Sequence, residues 1–142
     1  MPVKVREAIR RIEAAGWQLS RTRGSHRQFR HPERPGLVTI AGKPSDSLHP
    51  KTLGEHHQTG RTPGRGPMTE RQYLIVIEGN DEAGFSAYVP DLPGCVAAGK
   101  TRETVEREMH DVIAFHLEGL QQAGEPIPEP SDLTATYVKV AA

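Results

Sequence analysis

Apolar positions at the start of the chain follow a helical period and then switch to alternation. Val5, Ile9 and Ile12 fall at i, i+4 and i+7, which predicts an amphipathic helix over 3–15 that Gly16 stops. Trp17, Leu19 and Arg21 begin an alternating strand whose apolar side can cover that helix. A second strand follows over 25–31, a Pro-Glu-Arg-Pro-Gly turn over 32–36, and a third strand over 37–40. Residues 42–47 (Gly-Lys-Pro-Ser-Asp-Ser) read as a loop and 50–53 as the start of a helix. The order is α-β-β-β-α, a small α+β unit.

The pattern then lapses. After Leu53, residues 54–60 (Gly-Glu-His-His-Gln-Thr-Gly) offer no apolar face, and 59–67 contain three glycines and two prolines, a linker composition. A second unit opens at Met68. Residues 72–78 are a β-prone run, and 79–84 a turn. Phe85, Ala87 and Val89 alternate along another strand, 90–94 form a proline-stiffened loop, and 95–98 a short third strand. Thr101 is placed to cap a helix, with Glu103 in its first turn. Val105, Met109, Val112, Ile113, Leu117 and Leu120 form one apolar helical stripe that Gly124 ends. Residues 126–130 cross back, and 134–140 read as a closing strand, for an order of β-β-β-α-β with no internal repeat. The expected organisation is therefore α+β in two small domains, 1–58 and 68–142, joined by a linker over 59–67.

Charge sharpens this division. The 142-residue chain is formally neutral, but residues 1–67 carry 13 Lys+Arg against 5 Asp+Glu and residues 68–142 carry 5 against 13, so the halves stand at +8 and −8. A basic half suits a polyanion, and an acidic half suits the basic one, which makes mutual docking the favoured reading over two unrelated solvated surfaces. No apolar run approaches 18 residues, so no membrane-spanning helix is expected. The N-terminus lacks the apolar core of a signal sequence, and a cytoplasmic protein is expected. The single cysteine, Cys95, fits a reducing compartment and reads as a small buried apolar residue.

Candidate chemistry concentrates in Arg-Thr-Arg-Gly-Ser-His-Arg-Gln-Phe-Arg-His-Pro, residues 21–32. Alternation on both sides of Gly24 describes a hairpin turning at Gly24-Ser25. His26 would be held by strand backbone just past the turn and still reach solvent. Arg21, Arg23, Arg27 and Arg30 surround it, as they would to hold a phosphate backbone against an acid–base group. The competing reading is a basic surface hairpin with a spectator histidine. His49, His56 and His57 raise a metal site, but two adjacent histidines in a glycine-rich stretch make poor ligand geometry. Glu78, Asp81, Glu82 and Asp91 lie mostly in a hairpin turn and read as a solvated acidic face that meets the basic half.

Both halves resemble known families. Lys-Val-Arg-Glu-Ala-Ile from Lys4, the Gly-Ser-His hairpin, Val38-Thr39-Ile40 and Gly-Lys-Pro-Ser-Asp from Gly42 look like the HicA toxin family across about residues 3–53. The resemblance implies a double-stranded-RNA-binding-like fold and messenger-RNA cleavage. The stretch from Tyr73 to Glu78, Phe-Ser-Ala-Tyr-Val-Pro-Asp-Leu-Pro-Gly-Cys from Phe85, Gly99-Lys100-Thr101 and Glu-Pro-Ile-Pro-Glu-Pro from Glu125 look like the HicB antitoxin family across about 70–140. That resemblance implies a partial RNase H-like unit without catalysis of its own.

Together they imply a type II toxin–antitoxin fusion. His26 would be the catalytic residue, and Arg21, Arg23, Ser25, Arg27, Arg30 and Lys43 the RNA-binding ones. Ser25 reads more simply as a turn residue than as a nucleophile. A neutral imidazole would take the proton of a ribose 2′-hydroxyl, so no metal or other cofactor is expected. The expected partners are RNA and the cognate half, docked within one chain or between two, with self-association following from the second. A membrane is not among them. Operator DNA is not expected either, because only two alanines follow Val140 where many antitoxins continue into a DNA-binding segment. Toxin-family members also end in an aliphatic amphipathic helix, which residues 54–60 cannot form. The alternatives are an RNA-holding module that does not cut, and an inert fusion whose toxin half is destabilised.

Overall fold

The computed structural model describes residues 2–54 and 71–142. The expected linker, both expected domain boundaries, and His56 and His57 lie outside the described residues. The elements, in order, are β1 (Val3–Lys4), α1 (Val5–Ala14), β2 (Gln18–Arg23), β3 (His26–Arg30), β4 (Leu37–Ala41), β5 (Ser47–Leu48), α2 (Pro50–Leu53), β6 (Val76–Asn80), β7 (Gly84–Tyr88), β8 (Cys95–Gly99) and α3 (Arg102–Gln122). The class is α+β, as the periodicity indicates.

Strands from both halves share one six-stranded sheet, ordered β2-β3-β4-β8-β7-β6. The join is a parallel pairing of β4 with β8, in register Thr39 with Cys95, Ile40 with Val96 and Ala41 with Ala97. All five residues of β4 and all five of β8 are buried. Their sequences, Leu-Val-Thr-Ile-Ala and Cys-Val-Ala-Ala-Gly, run without polar alternation because both of their faces are covered.

The cover comes from two helices. α1 lies on one face, where Val5 and Ala8 pack with Phe29, Val38, Ile40, Leu48, Val96 and Ala98. α3 lies on the other, where Val105, Met109 and Val112 pack with Ala41, Ala87, Cys95 and Ala97. The Gly-Lys-Pro-Ser-Asp loop finishes the first helix. The backbone N–H groups of Val5 and Arg6, which have no partner inside α1, donate to the carbonyls of Asp46 (2.8 Å) and Pro44 (3.1 Å). Thr101 caps α3, its side chain accepting from the Thr104 N–H at 3.1 Å.

Two expectations need correction. Residues 134–140 form no strand and are exposed throughout. β propensity produces a strand only where a neighbour pairs with it, and this segment pairs with none of the described strands. The β-prone run at 72–78 enters the sheet only at Val76, and the residues before it serve a different contact: the Tyr73 hydroxyl donates to Pro128 O at 2.6 Å. Burial pushes the Tyr73 phenol up to about 12.

Candidate nucleic-acid site

Residues on β3 alternate between the two helical layers. Phe29 turns toward α1, while His26 and Gln28 turn toward α3. The α3 side of the N-terminal strands is therefore polar where the α1 side is apolar. The hairpin brings Arg21 and Arg23 of β2 beside this polar face, Arg23 pairing with His26 and Arg21 with Gln28 across a bulge between Leu19 and Arg21. Gly24 makes the turn with φ +59°, in the left-handed region.

α3 meets this face with side chains that the apolar stripe does not include. His26 Nε2 lies 3.2 Å from Glu108 Oε2. Arg21 and Arg23 both donate to Glu118 Oε1, at 2.6 and 3.0 Å, and both guanidinium groups lie over the Phe115 ring, 4.5 and 4.8 Å from its centroid. The bonds from Arg23 and Arg21 hold the Glu118 carboxyl below its ordinary range. Glu108, Phe115 and Glu118 are spaced i, i+7 and i+10, one side of the helix.

A buried polar chain lies deeper. The Gln28 amide donates to Thr39 Oγ1 and to Phe115 O, both at 3.1 Å, and accepts from Arg21 Nη1 at 3.2 Å. Thr39, its oxygen taken as an acceptor, donates its proton to His116 Nδ1 at 2.7 Å. Complete burial pulls His116 down to about 4, so it is a neutral acceptor there. Gly119 has no side chain at the point where the Gln28 amide lies against the helix; a Cβ there would overlap all three terminal atoms of that amide.

The structure corrects the expectation that His26 reaches solvent: it is 7% exposed, because α3 covers it. Its Nδ1 is buried without a hydrogen-bond partner. Of the six residues expected beside it, only Arg21 and Arg23 share its face and its helix. Arg27 lies one residue further along the strand, and its guanidinium donates to the Ser25 and Gly42 carbonyls at 3.2 Å each, tying turn to loop; burial lowers its pKa. Ser25 supplies that carbonyl from the turn. Arg30 and Lys43 are exposed, and the Lys43 backbone N–H donates to Asp46 Oδ2 at 2.9 Å.

Sequence reasoning missed Glu108, Phe115, His116 and Glu118, as well as Gln28 and Thr39. Polar residues recurring at helical spacing beside an apolar stripe were the available signal for the helix side. His49 is buried, its backbone N–H donating to Ser86 Oγ at 2.8 Å and its Nε2 to Gly84 O at 2.9 Å. Among the described residues, no three His, Cys, Asp or Glu side chains converge as a metal site. Glu78 does meet the basic half, accepting from the Thr52 hydroxyl at 2.7 Å. Asp91 is buried, accepting from the Ser131 N–H at 2.7 Å.

Comparison with known proteins divides the chain as its charge does. The family model of the HicA toxin of bacterial toxin–antitoxin systems matches residues 5–59, and that of the HicB-like antitoxin matches 73–140. An uncharacterised 14.9 kDa protein of Haemophilus phage HP1 is 34% identical over 61 residues, which span 43% of this chain and 45% of the phage protein. A UPF0150 protein of Thermoplasma acidophilum is 30% identical over 57 residues, 40% of this chain and 83% of that one. A UPF0150 protein of Helicobacter pylori is 44% identical over 46 residues, 32% and 62% of the two chains. The chain thus spans under half the length of the phage relative. No solved structure matches it. The polypeptide that seats an acidic helix on a basic hairpin belongs to the HicA toxin family in its N-terminal half and to the HicB-like antitoxin family in its C-terminal half, a toxin–antitoxin module in one chain.

Proposed function

We propose that the N-terminal half is a metal-independent RNA endonuclease and that α3 keeps it latent. In the active form, His26 as neutral imidazole removes the proton of a ribose 2′-hydroxyl. The resulting oxyanion attacks the adjacent phosphorus, the bond to the 5′-oxygen breaks, and a 2′,3′-cyclic phosphate remains. Arg21 and Arg23 hold the phosphate and stabilise the charge that gathers on it. Arg27, tied to the Ser25 and Gly42 carbonyls, and the exposed Arg30 and Lys43 contribute to the field that attracts RNA.

What carries the reading is the pairing of two carboxylates on one helix with both kinds of group the reaction needs. Glu108 occupies His26 Nε2, and Glu118 occupies the two guanidinium groups. These carboxylate oxygens engage the donors that would otherwise hold substrate phosphate oxygens. An imidazole engaged in this way has no route to a 2′-hydroxyl.

The test is the full chain carrying Glu108→Ala and Glu118→Ala, offered single-stranded RNA. The parent should be silent and the double variant should cleave, leaving cyclic phosphate ends. A folded double variant that binds RNA and leaves it intact would reduce the N-terminal half to an RNA-holding module. Cleavage by the parent at the rate of the variant would remove the latency.

A further inference from the structure

A cavity of about 860 Å³ lies beside Leu37 and Val38, the first residues of β4. Both halves of the chain wall it: Ile12 and Trp17 from α1 and the turn after it, His116 and Leu120 from α3. Its size suits a small organic molecule, and most of its wall is apolar. The polar groups on the wall differ in what they leave open. Glu125 is engaged, its Oε2 accepting from the Gly36 N–H at 2.7 Å. Arg11 and Arg34 line the cavity and are also exposed, which puts both guanidinium groups at its mouth. Arg11 stands 3.6 Å from Glu7, and Arg34 forms no ion pair with a described residue. His116 is 1% exposed. The Thr39 hydroxyl donates to its Nδ1, so the neutral ring carries its own proton on Nε2. Among the described residues nothing accepts from that N–H. A buried donor without an acceptor is costly, and this one borders an open volume.

We propose that this cavity binds a small amphiphilic acid: an apolar body against Ile12, Trp17 and Leu120, an oxygen that accepts from His116 Nε2–H, and an anionic group held at the mouth by Arg11 and Arg34. Each part of the ligand answers a feature of the wall. The apolar lining takes the body without specificity. The unpartnered imidazole N–H selects for an acceptor, because a molecule lacking one leaves that donor buried and unpaired. The two guanidinium groups select for an anion over a neutral molecule of the same shape. His116 is also the last member of the buried polar chain that runs through Thr39 and Gln28 to Arg21, and the ligand oxygen completes that chain. A molecule in this place touches both halves at once, so its binding stabilises the docked form.

Calorimetric titration of the full chain tests this with 8-hydroxyoctanoate, 10-hydroxydecanoate and 12-hydroxydodecanoate. Each is compared with the matching acid, which lacks the distal hydroxyl, and the matching diol, which lacks the charge. The best-fitting hydroxy acid should bind one to a chain, about tenfold or more tighter than either relative, and should raise the thermal midpoint. In the exposed pair Arg11→Gln and Arg34→Gln, made together, it should lose its advantage over the diol and keep its advantage over the plain acid. Nitrogen NMR locates the contact: the His116 Nε2 resonance should move with the hydroxy acid. Absence of saturable binding by any of the three overturns the proposal. So does equal binding of hydroxy acid, acid and diol, or an arginine variant that binds all of them as the parent does. A His116 Nε2 signal that stays in place while the hydroxy acid binds overturns it too, since the molecule then sits elsewhere.

Discussion

Gln28 of β3 lies against α3 at the one turn where Gly119 leaves its amide room. Gly119→Ala should therefore destabilise the chain, although alanine favours a helix by about 1 kcal/mol over glycine. The amide cannot swing aside without giving up Thr39, Phe115 O and Arg21, so the overpacking cost of about 1–3 kcal/mol should win. Urea unfolding of Gly119→Ala, Gln28→Ala and the double variant checks it: the double should be less damaged than the two singles added together.

Thr39→Val keeps the shape of β4 and removes the hydroxyl that links Gln28 to His116. One amide N–H and one imidazole nitrogen then lose their partners in a buried site, which should cost about 1–3 kcal/mol for each group left unsatisfied. Unchanged unfolding by urea would mean that the polar chain adds nothing to the docking of α3.

His116 makes stability depend on pH. Its folded pKa, about 4, lies below its ordinary 6.5, so the unfolded chain takes up the proton first. Stability is full above pH 6.5, falls as pH drops, and levels off below about 4. The total loss is on the order of 3 kcal/mol, from about 1.4 kcal/mol per pKa unit. Glu118, held low by Arg23 and Arg21, adds a loss in the same direction at the acid end of that range. Denaturation curves at several pH values should show the fall, and His116→Gln should flatten it between pH 6.5 and 4.

In the chain freed by Glu108→Ala and Glu118→Ala, adding His26→Ala should lower RNA cleavage about 10²–10⁴-fold with little change in RNA affinity, because one neutral imidazole contributes little to phosphate binding. Cleavage should persist in excess EDTA. Strong inhibition by the chelator would contradict base catalysis by His26 acting without a metal.

The sequence made the hairpin, the turn at Gly24-Ser25 and the cap at Thr101 legible because each is a local arrangement with local chemistry. The runs at 37–40 and 95–98 were legible as strands too, and their lack of alternation is the mark of burial on both faces. The groups that occupy the hairpin were not legible. Glu108 is 82 residues from His26 and Glu118 is 97 from Arg21, and no local periodicity pairs residues at such a distance. Composition indicated that the acidic half would meet the basic one, but the carboxylates that reach the hairpin stand on α3 and not in the acidic turn at 79–84. The closing strand expected at 134–140 does not form, because a strand depends on its neighbour as much as on its own residues.

The parallel pairing of β4 with β8 has a consequence for synthesis. A ribosome completes β4 long before it makes β8 and α3. At roughly 5–20 residues per second, the interval is on the order of 4–16 s. Throughout it, β4 has no β8 to pair with and His26 has no α3 to cover it. Any other molecule that carries a strand and helix of the β8–α3 kind has that window in which to add to the nascent sheet before the chain's own partner arrives.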